Sequence, residues 1–256
     1  MLHLWHAQLQ HMRSLTGRTP MNQASHLEEV RRAVRDILSE LPPHVTLVAA
    51  AKMRTAEELL AACEAGIKII GHNYVQDAEA MRTVIGERAR WHFIGRLQKN
   101  KAKKAAQIFD MVETMDSFEL AARLNKECAL IGKVLPLLIE INSGRESAKA
   151  GVMPEDTESL ALRLAKLEHL HLQGLMTMGP FTENPEEARP FFRITKETFD
   201  RLARAAIPNI EMRFLSMGMS DTYKVAIEEG ANIVRIGTKL FGARPSQNKP
   251  NIGNAG

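Results

Sequence analysis

Short apolar runs alternate with segments of helical period along most of this 256-residue chain, and that alternation is its strongest constraint. The runs fall at 45–51, 67–71, 91–95, 108–113, 134–141, 170–176, 211–215 and 233–236. Each is followed by a helical pattern, so the strands are parallel and joined by helical crossovers. Eight such units predict a closed (β/α)8 TIM-type barrel, with an N-terminal helix at 26–39 leading in. An open doubly wound sheet is the alternative. The barrel is favoured because polar residues follow many strands, and only a barrel brings those strand ends to one face.

Local signals punctuate the units. Thr55-Ala-Glu-Glu58 reads as a capping box, and Gly66 closes that helix at the C′ position. Asn184-Pro-Glu-Glu187 opens a long helix with Asn at the N-cap and Pro at N1. Asp116-Ser-Phe-Glu119 reads as a further cap. Residues 1–24 read as a poorly ordered extension, 25–244 as the barrel, and the Pro-, Asn- and Gly-rich 245–256 as a disordered tail.

Composition excludes several classes. Neither a membrane-length apolar run nor a secretory signal is present, so a cytoplasmic location is expected, with no membrane partner. The two cysteines, Cys63 and Cys128, fall in helical patterns and read as small core residues. The nine histidines show no metal-ligand spacing. A net charge of +4 and a pI near 9.1 raise the question of nucleic acid. The densest basic cluster, Lys99, Lys101, Lys103 and Lys104, lacks interleaved aromatics and reads as a solvated helix face, so no nucleic-acid partner is expected.

The strand ends carry the chemistry. Lys52 closes the first apolar run, where a lysine is costly unless it has a task. Burial disfavours the ammonium, so an amine there is a candidate nucleophile for an imine. An ion-paired or snorkelling lysine is the other reading. Ser216 and Gly218 follow the seventh strand, and Gly237 and Thr238 follow the eighth. Such NH-rich, hydroxyl-bearing turns suit a phosphate, and the loops after strands seven and eight are its recurrent place in barrels. Arg235 points the same way as Gly237 and needs an acceptor. A pyridine nitrogen is one candidate and a carboxylate such as Glu140 is another. Amine and phosphate cradle together point to pyridoxal 5′-phosphate (PLP). Met176, Met178, Met217 and Met219 read either as a lining for it or as core packing.

Several ordered motifs are similar to those of the pyridoxal phosphate homeostasis protein family, single-domain relatives of the alanine racemase barrel. They are Ala50-Ala-Lys52, Gly71-His-Asn-Tyr-Val-Gln-Asp77, Trp91-His-Phe-Ile-Gly-Arg-Leu-Gln-Lys-Asn-Lys101, Gly174-Leu-Met-Thr177, Leu215-Ser-Met-Gly-Met-Ser220 and Val234-Arg-Ile-Gly-Thr-Lys-Leu-Phe-Gly242. The resemblance implies a Schiff base on Lys52, phosphate contacts from the Ser216 and Gly237-Thr238 turns, Arg235 near the pyridine nitrogen and Asn73 near the ring. It implies a non-catalytic carrier that maintains intracellular vitamin B6 and hands PLP to apoenzymes; a monomer is expected. Ala51 stands where the family often has Ser, and His72 where an acid is usual. Gln76-Asp77 and the loop 142–149 also depart from the pattern.

Two enzyme readings compete. A racemase or decarboxylase of the same barrel type would need an opposing base from a C-terminal β-domain, and this chain ends about twelve residues after Arg244. A Schiff-base aldolase would need an acid/base pair beside Lys52, and no carboxylate–tyrosine set is evident.

Overall fold

Helix α1 (Pro20–Glu40) leads into β1 (Thr46–Ala50) in the computed structural model, which describes residues 20–146, 149–180 and 182–243. There follow α2 (Ala56–Glu64), β2 (Ile69–His72), α3 (Val75–Ile85) and β3 (Arg90–Phe93). Next come α4 (Ala102–Ile108), β4 (Met111–Met115), α5 (Phe118–Leu130), β5 (Leu135–Glu140) and α6 (Thr157–Leu164). The chain continues through β6 (Leu170–Met176), α7 (Arg189–Ala205), β7 (Ile210–Ser216), α8 (Tyr223–Glu228), β8 (Ile233–Ile236) and the short α9 (Thr238–Phe241). All eight strands are parallel, and β1 pairs with β8 through Val48 opposite Arg235, so the sheet closes into the expected barrel.

The capping box of α2 forms as read. The Glu58 amide donates to Thr55 Oγ1 at 3.2 Å, and the Thr55 amide donates to Glu58 Oε2 at 2.7 Å. Asn184 likewise accepts from the Glu186 amide, at the head of a 3-10 turn (Pro185–Ala188) that precedes α7.

Other boundaries differ. Residues 20–24, assigned above to the extension, are helical, because α1 starts at Pro20. The rest of that extension and the tail 245–256 lie outside the described residues. The fourth strand starts at Met111 rather than at 108. Asp110 stitches the turn to β3, its amide donating to Trp91 O and its carboxylate accepting from the Trp91 amide. Asp116 does not cap α5; Ser117 holds the N-cap position and makes no side-chain bond there.

The large core lies between sheet and helices, with Trp91, Phe93, Phe109 and Phe192 fully buried. A separate small cluster joins Met111, Leu138 and Met176 to Phe214, one residue from each of four successive strands. Side chains alternate along a strand, so two residues further on the same face is presented again. In β4, β5 and β7 those next residues are Glu113, Glu140 and Ser216. An apolar plug is thus overlaid, nearer the carboxyl ends of the strands, by a polar layer that also holds His92 and Arg235.

Candidate cofactor site

The polar layer is held together at its centre by Glu113, which is completely buried. His92 Nδ1 lies 2.7 Å from Glu113 Oε1, and Ser216 Oγ donates to Glu113 Oε2 at 2.6 Å. Arg235 Nη1 donates to the same Ser216 oxygen at 2.6 Å and stands 4.0 Å from Glu113 Oε2. Its Nη2 donates to Thr177 O at 2.8 Å. Burial pushes the Glu113 carboxyl up, but the His92 hydrogen bond, the Arg235 charge and the Ser216 hydroxyl outweigh it, so the group titrates below the ordinary range. Glu113 is therefore a carboxylate, which requires that His92 donate through Nδ1. The carboxylate on which Arg235 leans is Glu113, not the Glu140 considered from sequence.

Above this layer opens a cavity of ≈330 Å³. Lys52, Asn73, Arg235, Gly237 and Thr238 all line it, so five of the seven residues singled out from sequence share one space. The volume falls within the range of small-ligand pockets.

Lys52 is half-buried at the wall rather than sealed in an apolar pocket, with Nζ 5.6 Å from the centre of the exposed Tyr74 ring. The backbone turns sharply just after it, Met53 taking φ 61. Beneath the turn the buried Arg54 donates to the carbonyls of Phe241 and Gly242, tying the lysine turn to α9. His72, where the sequence departs from the usual acid, is buried; burial pulls its pKa down, and the neutral ring accepts the Tyr74 amide at Nδ1. It thus braces the loop that carries Tyr74 and Asn73. Asn73 donates to Ile94 O, and Gly95 permits that approach, because a Cβ there would lie 2.3 Å from Asn73 O.

Ser216 and Gly218 do not line the cavity. The Ser216 hydroxyl, fully buried, has spent its proton on Glu113 and receives Arg235, so it is not free to serve a phosphate. Gly218 has a spatial role: at φ +88 an added Cβ would sit 2.6 Å from Ala226 Cβ, so glycine lets α8 pack onto the turn. The residue that sequence reading missed is Ser220, two positions on. It lines the cavity, and its Oγ accepts from the amides of Gly237 and Lys239 at 3.3 and 3.4 Å. Accepting two bonds leaves its proton to offer. The signal was present as the second serine of Ser216-Met-Gly-Met-Ser220; what hid it was the turn made by Gly218. Met178 and Met219 line the cavity, whereas Met176 and Met217 are core residues.

A primary amine, a buried guanidinium and two apposed turns bearing hydroxyls converge on one space. That donor set fits a flat heteroaromatic aldehyde carrying a phosphate: an amine for the aldehyde, a cation for the ring nitrogen, N–H and O–H groups for the anion.

Residues 25–245 match the family model described as alanine racemase, N-terminal domain. The pyridoxal phosphate homeostasis protein of Aquifex aeolicus is 41% identical over 202 residues, covering 77% of this chain and 86% of the relative. The protein of the same name from Escherichia coli K12 is 35% identical over 240 residues, covering 90% of this chain and all of the relative. The structure of PipY from Synechococcus elongatus with PLP bound superposes with a TM-score of 0.77 at 32% identity, covering 83% of this chain and 100% of that one. An alanine racemase from Clostridium difficile shares the fold, with a TM-score of 0.74 at 17% identity over 58% of its length.

Proposed function

The chain belongs to the pyridoxal phosphate homeostasis protein family, and on that premise we propose that it carries PLP as an imine on Lys52 and buffers its supply. The observation that carries the reading is the single ≈330 Å³ cavity onto which Lys52, Arg235 and the turns after β7 and β8 all open. When bound, PLP supplies an aldehyde that condenses reversibly with amines.

Each residue then has a defined task. Lys52 holds the aldehyde carbon. Arg235, kept in place by Ser216, Thr177 and Glu113, faces the pyridine nitrogen; a guanidinium stays protonated, so that nitrogen stays unprotonated and the ring withdraws electrons weakly. Such a ring suits storage better than carbanion chemistry. Ser220, Gly237 and Thr238 receive the phosphate. Asn73 flanks the ring. The same reading makes residues 25–244 the binding unit, monomeric and cytoplasmic, with PLP-requiring apoenzymes as recipients. Among the described residues no helix is long and apolar enough to cross a membrane, and no metal-binding cluster occurs.

The purified protein loaded with PLP is expected to absorb near ~420 nm, as protonated imines of this cofactor do, and Lys52→Ala to lose that band. A band that survives in the variant puts the imine elsewhere. Incubation with amino acids is expected to give no sustained racemisation or decarboxylation, and sustained turnover of any one of them would establish the enzyme reading instead.

A further inference from the structure

Four glutamates are buried among the described residues, and three of them are paired. Glu58 lies 2.9 Å from His26, Glu113 lies 2.7 Å from His92, and Glu127 lies 2.8 Å from Arg123. Glu140, at the end of β5 and 9% exposed, accepts the Val152 amide at its backbone carbonyl, but its side-chain carboxyl makes no hydrogen bond or ion pair with any described residue. A buried carboxyl without a partner is costly, so one retained here needs a reason.

Glu140 lines a second cavity of ≈250 Å³ that shares the Met178 wall with the cofactor cavity. Among the described residues its other polar side chains are largely committed. Asn142 exchanges two bonds with Glu146, and Lys149 at the rim pairs with Glu146 Oε1 at 2.6 Å. Thr177 gives its hydroxyl proton to Ile141 O, so Ser143 must be the donor in the 2.9 Å Ser143–Thr177 contact. Ser143 therefore keeps acceptor lone pairs. What the space offers is one unpaired carboxyl and a hydroxyl acceptor. A ligand that satisfies both brings donors and positive charge.

We propose that this second cavity is a subsite for a small primary amine in its ammonium form, held by Glu140 and Ser143 beside the cofactor cavity. Binding itself does not depend on the cofactor; the role that follows rests on the PLP reading above. Within the pair a proton passes from the amine nitrogen to the Glu140 carboxylate, leaving a neutral amine and a carboxylic acid. That amine adds to the imine carbon; its new carbon–nitrogen bond replaces the one to Lys52, whose nitrogen leaves and takes up the proton held by Glu140, so the subsite couples release of the cofactor from Lys52 to amine supply.

The electrostatics suit such a proton acceptor. Burial and the nearby Asp116 raise the Glu140 pKa to about 7, against the opposing pull of Arg235 and Arg96. Among the described residues, Glu146 and Lys149 are the other charged groups of the cavity, and they pair with each other.

The test titrates ethylamine into cofactor-free full-length protein by calorimetry, at matched ionic strength. With half-ionisation near 7, affinity is expected to be about tenfold higher at about pH 8.5 than at about pH 6, because only the ionised fraction binds. Glu140→Gln is expected to bind at least about tenfold more weakly at the higher pH and to lose the pH step. Equal affinity in variant and parent overturns the proposal. Should the variant fold poorly, the parent decides alone: repeating the titration near pH 6.5 in buffers of different ionisation enthalpy should reveal proton release on binding, and none sinks the idea. Loaded protein separates the two readings. Ethylamine binding without an imine band leaves the subsite and removes the cofactor assignment. A normal band without ethylamine binding does the reverse. With both intact, ethylamine should hasten loss of the band in the parent and not in Glu140→Gln.

Discussion

Glu113 and Glu140 stand on neighbouring strands of one barrel, in the same polar layer, and both are buried, yet they differ in charge. Glu113 is surrounded by donors and is ionised; Glu140 has none and titrates only near neutrality. Burial is common to both, so it does not decide the outcome. What decides it is the donors within bonding distance, His92 and Ser216, backed by the Arg235 charge at 4.0 Å for one carboxyl, and no donor for the other. The same residue type thus serves as a structural anchor at one position and as a vacant acceptor at the next strand.

The comparison can be broken most forcefully at Glu113. Glu113→Gln removes the nearer charge on which Arg235 depends and leaves the buried guanidinium without its ion-pair partner. Losing one partner of a buried pair costs about 3–5 kcal/mol, which a urea titration would read directly. A loss below about 1 kcal/mol would mean that Arg235 is satisfied by Ser216 and Thr177 alone.

Glu140→Gln should act in the opposite direction and only in part of the pH range. The folded pKa of about 7 lies above the unfolded value, so this carboxyl favours the folded state below about pH 4.5 and loses that contribution as pH rises through 7. Above that range the parent carries a buried, unpaired charge. The variant, which cannot ionise, should therefore be the more stable by up to about 3 kcal/mol near pH 8.5, and by less than about 1 kcal/mol near pH 5. Thermal unfolding at both pH values checks this. A constant difference would show that Glu140 does not titrate as its surroundings require.

Ser216→Ala sharpens the comparison with the smallest effect. It removes a hydroxyl that bridges two charges, and hydrogen bonds to charged groups are worth about 1.5–3 kcal/mol. Arg235 and Glu113 remain, and a modest closure of their 4.0 Å gap would recover part of the loss, so about 2 kcal/mol is expected. If Ser216 served the phosphate instead, the variant would lose PLP affinity at unchanged stability.

Much of this was legible in the chain because it is local. The capping box at Thr55 and Glu58 is a matter of spacing within one turn, and the strand–helix alternation is a matter of period. Lys52 was conspicuous for being charged at the end of an apolar run. Ser216 and Ser220 were harder, since both follow the same strand and only the path of the Gly218 turn selects which hydroxyl reaches the cavity. Glu113 was invisible in kind: an acid in Met111-Val-Glu-Thr-Met115 looks like a strand residue on a wet face until the barrel closes around it.

Order along the chain therefore determined the eight parallel strands, their closure, and the lysine and turns gathered at one end, because period and turn chemistry act between neighbours. Only the tertiary structure decided which acid is paired and which stands open, since His92, Ser216 and Arg235 reach Glu113 from three other strands. Charge in a buried layer depends on distances of a few ångströms between residues remote in sequence, and those distances exist only once the barrel has closed.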